Sequence, residues 1–287
     1  IFNTEINLEP RLAAMYQINE FSSIKASYGR TVQYAQLATN ATAGIPFDMW
    51  FPTSPNIKPQ KCDQFSIGYF RNFLNDEIET SVELFYKNIH NVIDFADNAT
   101  LIGNLYIDGE VRAGKGYAYG AELLLRKNFG DFSGWISYTY SKSMRKVPGI
   151  NYDREYVSPY DKPHNISIVL NYAFNKRFDV SASWIYNTGQ PVTYPCGKYT
   201  VDGVTYAGYN GRNNSRYPDY HRPDLSATIK CKEKHKNWRG EWNFSVYNAY
   251  GRKNTWAVLF LSEGNHISTM KIALFSFIPS ATYNFKF

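Results

Sequence analysis

The sequence lacks the long hydrophobic run that a transmembrane helix requires. Its longest unbroken aliphatic and aromatic stretch is Trp256–Leu261, whereas a spanning helix needs ~18 such residues. Blocks of like charge are also absent. The 31 basic and 25 acidic residues give a net charge of +6, but they are dispersed, so the sequence predicts no nucleic-acid partner. Hydrophobic residues make up 44% and aromatic residues 17% of the chain, which excludes a disordered segment.

Motifs for catalysis, metal binding and redox chemistry are equally scarce. The five histidines are dispersed without HExxH spacing, no Gly-x-Ser-x-Gly elbow occurs, and the three cysteines form no CxxC pair. The run Gly114–Gly120 has the spacing of neither nucleotide-binding motif, and Gly116 and Gly120 are expected to relieve crowding inside a curved strand. We therefore predict no catalytic residue, no metal site and no cofactor, and we do not expect an enzyme.

The sequence does contain strict alternation of apolar and polar residues, the period of a β-strand with one apolar face. The clearest example is residues 77–87, and residues 165–174 and 178–187 repeat it. In the first example, Ile78, Thr80, Val82, Leu84 and Tyr86 lie on the apolar face, and Glu77, Glu79, Ser81, Glu83 and Lys87 lie on the polar face.

This alternation predicts an all-β fold of eleven strands. Many of them reach ten residues or more, whereas about 5–6 residues is usual in soluble proteins and a bilayer-crossing strand needs ~9–11. The sequence therefore predicts a transmembrane antiparallel β-barrel, of which about eleven strands are present as part of a larger barrel. The predicted strands are residues 8–17, 22–33, 62–72, 77–90, 115–126, 132–142, 164–174, 178–188, 222–230, 239–250 and 271–287.

The predicted connections alternate between short and long. This alternation is typical of outer-membrane barrels, in which short turns face the periplasm and long loops face the outside. Aromatic rings are concentrated near the strand ends, which predicts a girdle at each membrane interface. The long connections are residues 34–61, 91–114, 143–163, 189–221 and 251–270.

The polar faces of such strands line a water-filled lumen, and the apolar faces contact lipid. The glutamates Glu77, Glu79 and Glu83 are therefore expected in the lumen. A polar interior tolerates charge when bases on neighbouring strands balance it. Arg126 and Lys25 are the candidate partners.

The carboxy terminus carries a further signal. The segment Ala281–Phe287 alternates and ends on an aromatic residue, so that Tyr283, Phe285 and Phe287 share one face. This pattern looks like the signature that is read by the machinery that inserts outer-membrane barrels.

Four internal segments narrow the resemblance. SPYDKPHN at 158–165 and YHRPDLS at 220–226 lead into strands, SVYNAYGRKN at 245–254 leaves one, and WIYNTGQP occupies 184–191. Together and in this order they resemble the closing strands of TonB-dependent outer-membrane receptors, the energised transporters of Gram-negative bacteria.

The resemblance implies a plugged barrel of 22 strands, of which residues 1–287 are expected to be the carboxy-terminal half. It implies a protein of the bacterial outer membrane that takes up a large, scarce nutrient in an energised process. The implied partners are outer-membrane lipid, an amino-terminal half with a plug domain, and an inner-membrane energising complex that acts through that half. Some relatives also have a companion surface lipoprotein.

The long loops contain the residues that we expect to contact the ligand. Rings can stack on the flat faces of a bulky polar molecule, and forked amide or guanidinium donors can bind its oxygens. Packing of the loops on each other as a lid is an equally open interpretation, with hairpins expected at Asp108-Gly109 and Asp202-Gly203. The candidate ligand residues are Trp50, Phe51, Tyr194, Tyr199, Tyr206, Tyr209, Asn210, Arg212, Asn213 and Arg216.

Several alternatives stay open from the sequence. A passive porin or an adhesin-type barrel without a plug is the second interpretation. An outer-membrane hydrolase would need a histidine and a carboxylate to converge, and His164 near Asp161 is the only local hint. A soluble carbohydrate-binding β-protein is the last. The cargo is also open among iron chelates, cobalamin, glycans and oligopeptides. Finally, Cys62 and Cys196 both fall on the outer side, so a disulfide between them is a hypothesis.

Overall fold

The computed structural model describes residues 5–40, 47–97, 99–101, 103–202, 204–231, 239–263 and 266–286. Within these ranges, no helix has the length and apolar character needed to traverse a bilayer. The strands, in chain order, are β1 (Arg11–Asn19), β2 (Ser22–Gln33), β3 (Ala35–Asn40), β4 (Phe47–Pro52), β5 (Gln60–Phe73), β6 (Ile78–Phe95), β7 (Val111–Lys127), β8 (Phe132–Lys146), β9 (Tyr156–Val157), β10 (His164–Asn175), β11 (Phe178–Asn187), β12 (Pro191–Val192), β13 (Gly197–Val201), β14 (Val204–Gly208), β15 (Ser215–Arg216), β16 (Tyr220–Lys230), β17 (Arg239–Tyr247), β18 (Thr255–Glu263), β19 (His266–Ala273) and β20 (Ile278–Lys286).

Eleven of these strands, which we call the wall strands, form one antiparallel sheet. Each wall strand pairs with the next wall strand along the chain, and the remaining strands lie in the loops between them. The order is β1-β2-β5-β6-β7-β8-β10-β11-β16-β17-β20, and the two-residue β9 pairs with the end of β8. This up-and-down wall confirms the prediction of an all-β fold with eleven antiparallel strands. β6 and β7 are longer than predicted, with 18 and 17 residues, so both extend well past a bilayer-crossing length.

The register joins the apolar faces of neighbouring strands into one belt. Leu84 of β6 lies opposite Ile67 of β5 and Ala121 of β7, and Ile136 of β8 lies opposite Ile168 of β10. The belt is exposed, since Leu84 keeps 53% of its surface accessible. A contiguous exposed apolar surface of this extent is typical of contact with a membrane or a partner rather than with water.

The last strand is predicted to begin at residue 271, before the last wall strand begins in the structure. Residues 266–273 form β19, which pairs with β18 in a hairpin of its own, and the wall strand β20 begins only at Ile278. The prediction of one strand over 271–287 is therefore wrong. Alternation has the same period in a wall strand and in a loop hairpin, so it does not separate the two.

The loops contain further hairpins. β13 and β14 pair across Asp202, whose φ is 50°, which confirms the hairpin expected there; Gly203 lies outside the described residues. The hairpin expected at Asp108-Gly109 is wrong, because Ile107–Glu110 form a single turn of 3-10 helix instead. β3 and β4 form a third hairpin.

The charges on the polar face are paired in part as expected. Arg126 approaches Glu79 with a nitrogen to oxygen distance of 3.8 Å, which confirms Arg126 as a partner. The expectation for Lys25 is wrong, because its Nζ lies 4.3 Å from the centroid of the Phe70 ring. Lys25 lies opposite Gly68 of β5, so one strand stands between Lys25 and β6. The Phe70 ring packs over Gly68.

Gly120 marks a close approach on the polar face, as the crowding argument predicts. A Cβ at this position would overlap the Tyr140 carbonyl oxygen and lie 2.8 Å from Cζ of Phe85. We expect Gly120→Ala to destabilise the barrel by about 1–3 kcal/mol through overpacking. The measurement is the temperature at which the complete protein loses its compact form in detergent. Gly29→Ala is the control, since its Cβ would have no neighbour closer than 4.0 Å, and equal loss in both variants would contradict the packing argument.

Candidate functional site

Oppositely charged side chains converge beyond the belt, where β6 and β8 extend toward the long loops. The vestibule cluster consists of Asp94 on β6, Arg145 on β8, Tyr156 on β9 and Arg212 in the loop after β14. Arg212 Nη2 lies 2.5 Å from Asp94 Oδ1, and the Tyr156 hydroxyl donates to Asp94 Oδ2 at 2.8 Å. Arg145 Nη1 lies 3.8 Å from the same Oδ2. The carboxylate on β6 thus gathers a phenol and two guanidinium groups from three other segments.

The cluster is almost fully removed from solvent, with 2% exposure for the side chains of both Asp94 and Arg212. Burial of a charge is costly unless it is paired and hydrogen-bonded. Desolvation and the adjacent Asp94 carboxylate raise the pKa of Tyr156 far above its ordinary value, so the phenol remains a hydrogen-bond donor. Arg212 Nε is buried and has no hydrogen-bond partner among the described residues.

Hydrogen bonds to the backbone fasten three loops around this pair. Asn151 accepts from the Arg212 backbone N–H at 2.9 Å, and its own N–H donates to Asp97 Oδ2 at 2.9 Å. Asn213 donates from Nδ2 to the Val157 carbonyl oxygen at 2.6 Å. The loops that follow β6, β8 and β14 are therefore held as one unit, as the lid interpretation anticipates.

A cavity of about 260 Å³ lies beside the vestibule cluster. Arg212 lines it, and we name it the arginine cavity. Tyr209, Tyr152 and Thr193 contribute hydroxyl groups and Asp97 a carboxylate. Desolvation raises the pKa of the Tyr209 phenol, so this group also stays protonated. The cavity offers hydrogen-bond donors to a polar molecule.

A second cavity, of about 340 Å³, lies against the polar face of β5–β8. We name it the amide cavity because Gln33, Gln36 and Gln60 line it. Gln36 donates from Nε2 to the Lys58 carbonyl oxygen at 2.9 Å, while its buried Oε1 has no partner. The remaining lining includes Trp50, Tyr160 and Arg145, whose guanidinium group lies 5.5 Å from the Tyr160 ring centroid.

The structure distributes the ten predicted ligand residues over different environments. Trp50 lines the amide cavity and is 62% exposed, and Tyr209 and Arg212 line the arginine cavity. Phe51 instead lies in a loop core, where its ring meets that of Phe95 edge-on at 5.8 Å. Asn213 is buried among backbone groups.

The other predicted residues lie in the outer loops. Arg216 pairs with Asp161 and donates to the Gly189 carbonyl oxygen at 3.1 Å, so it anchors a loop. Asp161 is therefore paired with Arg216. His164 Nδ1 instead lies 2.9 Å from the Tyr138 hydroxyl, so the pair of His164 and Asp161 that a hydrolase would need does not form. The Asn214 side-chain amide donates to Asn210 Oδ1 at 3.3 Å and to the Tyr194 carbonyl oxygen at 3.0 Å. The rings of Tyr199 and Tyr206 stack with their centroids 5.6 Å apart on an exposed hairpin.

Sequence reasoning missed Asp94, Tyr156 and the three glutamines. A signal for Asp94 was present, since this acidic residue interrupts an apolar run at the end of a strand, which indicates a buried partner. The bulge at Asn91, whose φ is 58°, ends the simple alternation just before it. The partner of Asp94 could not be read locally, because Arg212 is 118 residues away.

The structure also bears on the predicted cysteine bridge, on metal binding and on the aromatic residues at the carboxy terminus. All three cysteines are free thiols, so the Cys62–Cys196 bridge is wrong; Cys196 Sγ lies 3.4 Å from the Gly208 carbonyl oxygen. The described ranges hold no group of three His, Cys, Asp or Glu side chains able to bind a metal. In β20 the Tyr283 ring lies 4.9 Å from Trp242 and 6.4 Å from Phe285, and Phe287 lies outside the described residues.

An up-and-down wall with an exposed apolar belt, polar cavities and long loops fastened on one side defines the class of large outer-membrane barrels. Residues 6–249 match the family model for the TonB dependent receptor-like β-barrel. The chain belongs to this family, which confirms the resemblance read from its motifs. It matches no curated protein sequence.

Solved structures with the same fold include three iron receptors. The ferric-catecholate import receptor Fiu of E. coli K12 matches with a TM-score of 0.58 and 17% identity over 96% of this chain and 34% of its own. The ferripyoverdine receptor of the Pseudomonas aeruginosa outer membrane matches with 0.59 and 16% over 96% and 33%. The siderophore receptor PirA of Acinetobacter baumannii matches with 0.56 and 14% over 98% and 41%.

The family match places the chain in the outer membrane as part of a β-barrel of a transport-receptor family. The chain spans about a third of the length of the first two receptors. At these identities the structural likeness shows the fold alone, so it does not carry over a ligand.

Proposed function

We propose that the chain forms the carboxy-terminal half of the barrel of an energised import receptor, with both cavities opening toward the bound ligand. The observation that carries the proposal is the buried vestibule cluster, which fixes three loops around polar cavities on one side of the wall. Burial of charge is costly, so a buried ion pair that fixes three loops around these cavities supports a role that depends on the position of the loops. The family is one of transport receptors, so the proposal is binding and import without an enzymatic step.

The ligand class that we propose is a ferric chelate. Three neighbours of known structure are named as receptors for ferric-catecholate, ferripyoverdine and a siderophore. The amide cavity offers Arg145, three amides and two aromatic rings, which suit a bulky molecule with anionic oxygens and flat surfaces. Energy coupling would reside in the plug-bearing amino-terminal half and the inner-membrane complex that acts through it.

The test is uptake of radioactive iron by cells that produce the complete protein. Iron is supplied as ferric citrate or as a ferric catecholate, with and without a protonophore. We expect saturable uptake that the protonophore abolishes. Uptake that persists in de-energised cells would support the passive barrel and overturn the energised mechanism. Energised uptake of cobalamin or a glycan but of neither iron complex would overturn the ligand class alone.

Trp50→Ala is expected to weaken binding of the transported ferric complex about tenfold. The substitution removes the exposed indole that lines the amide cavity. An aromatic contact of this kind contributes ~0.5–1.5 kcal/mol of binding free energy beyond its buried area. Equilibrium binding to purified complete receptor measures the change. Tyr199→Ala is the matched control, since it removes an equally exposed ring from the β13–β14 hairpin, which lines neither cavity. Weaker binding of Tyr199→Ala with unchanged binding of Trp50→Ala would move the ligand to the hairpin.

A further inference from the structure

Four basic residues stand side by side on neighbouring wall strands. In the register, Lys61 of β5 lies opposite His90 of β6, His90 lies opposite Lys115 of β7, and Lys115 lies opposite Lys146 of β8. Adjacent strands are about 4.8 Å apart, so this basic row spans about 14 Å across the sheet. No motif or charge run reveals it in the sequence, because its members are separated by 25 to 31 positions.

The basic row lies on the lipid side of the wall. Alternation places it on the same face as the exposed ring of Phe65, Tyr86 and Tyr119, each four residues away along its own strand. The residues immediately next to the basic row, 60, 89, 116 and 145, line the amide cavity on the opposite face. The two faces of the sheet are thereby assigned by independent observations.

The height of the basic row matches the headgroup region. Phe65, Tyr86 and Tyr119 lie opposite each other in one row, as expected for an aromatic girdle at the interface. Four residues along a strand tilted by about 45° raise the basic row by about 9 Å above this girdle. Lys142, opposite Tyr119, adds a further cation at the level of the girdle itself.

The positive charge of the basic row is not neutralised by the protein. None of its three lysines has an ion-pair or hydrogen-bond partner within the described ranges. Two carboxylates lie near the row. Asp63 is balanced by Arg30, which donates to it at 2.8 Å and 3.0 Å. Glu155 accepts from the neutral Tyr117 hydroxyl at 3.2 Å and keeps its charge, so three lysines face one unbalanced carboxylate and the row stays net positive.

We propose that the basic row binds the phosphate groups of the phosphorylated glycolipid that forms the outer leaflet. The surface combines uncompensated lysines for the phosphates with Asn88 and Tyr117, which lie between the basic row and the girdle and can contact sugar hydroxyls. A headgroup that carries two phosphates on a disaccharide can engage several lysines at once across the width of the row. The girdle below fixes the acyl chains of the same lipid against the belt.

The experiment measures the lipid that remains bound to the purified complete protein. Wild type and the triple variant Lys61→Gln, Lys115→Gln, Lys146→Gln are incubated with diphosphorylated lipid A or with enzymatically dephosphorylated lipid A, and bound copies are counted by native mass spectrometry. A lysine near an anionic surface contributes about 1 kcal/mol, or about fivefold. We expect the triple variant to bind diphosphorylated lipid A on the order of a hundredfold more weakly, and wild type to prefer it over the dephosphorylated form.

The control variant Lys176→Gln, Lys253→Gln, Lys271→Gln makes the same change in net charge at exposed lysines outside the basic row, and it should bind as wild type does. Equal binding by the triple and control variants would overturn the proposal, as would equal binding of the two lipid forms. Displacement by excess inorganic phosphate alone would mean a free-anion site and would overturn the lipid assignment. If the triple variant does not insert, Lys115→Gln alone is measured against Lys253→Gln, with a fivefold loss expected.

Discussion

Arg212→Met is expected to release the three fastened loops while the barrel wall stays intact. The substitution leaves the Asp94 carboxylate buried with Arg145 at 3.8 Å as its nearest remaining cation. Removing one partner of a buried ion pair costs about 3–5 kcal/mol, and the remaining hydrogen bond from Tyr156 places the expected value near 3 kcal/mol. Because the wall strands do not depend on this pair, the loss should appear as local opening rather than as global unfolding.

Amide hydrogen exchange of the complete protein measures this opening. Protection should fall by about two orders of magnitude in residues 92–97, 150–157 and 209–214, which include the end of β6 beyond its bulge, and remain unchanged in the rest of the wall. Arg216→Met is the comparison variant. Its partner Asp161 is buried, but Arg216 itself is 31% exposed, so water can reach the vacated position and the loss should be smaller. The double variant Asp94→Leu, Arg212→Met should recover part of the protection, because it removes both charges of the closest ion pair while Arg145 and the Tyr156 hydroxyl lose their acceptor. Unchanged exchange in the single variant would contradict the assigned role of the ion pair.

The wall of the fold was predictable because its physical constraints are local. A strand with one face in lipid and one in a polar lumen must alternate over its whole length, and ten of the eleven predicted strands correspond to wall strands within a few residues. The exception, residues 271–287, shows the limit of the pattern. Residues 271–273 end β19, and the pairing of β19 with β18 distinguishes this loop hairpin from the wall.

The candidate site was predictable only in part, because its contacts are distant in sequence. The composition of the loops indicated rings and guanidinium groups, and it directed attention to residues 189–221. The composition did not show that Arg212 forms an ion pair with Asp94. It also did not show that Phe51 packs against Phe95 while its neighbour Trp50 stays exposed. Two adjacent aromatic residues on β4 point to opposite faces of the hairpin, so the register decides which one can reach a ligand.

Leu170→Arg is expected to prevent stable insertion of the barrel, whereas Asn171→Arg should be tolerated. Leu170 lies in the middle of β10, opposite Gly134 and Ala182 on the apolar face. A charged side chain there faces the centre of the bilayer, which costs about 2–4 kcal/mol. The small neighbours Gly134 and Ala182 offer no polar group that could accept its hydrogen bonds. Asn171 is the next residue along the strand, and its side chain faces the lumen, where water solvates a guanidinium group.

The two substitutions form a matched pair, because they place the same side chain at the same depth on opposite faces of one strand. The measurement is the fraction of complete protein recovered from the outer membrane in the compact, heat-sensitive form. A cost of about 2–4 kcal/mol shifts a folding equilibrium by about 30-fold to 1,000-fold, so the Leu170 variant should be recovered largely unfolded or degraded, and the Asn171 variant near the wild-type yield. Equal recovery of the two variants would contradict the facing assigned to β10. Since one register connects all eleven strands, it would also undermine the position of the basic row and of both cavities.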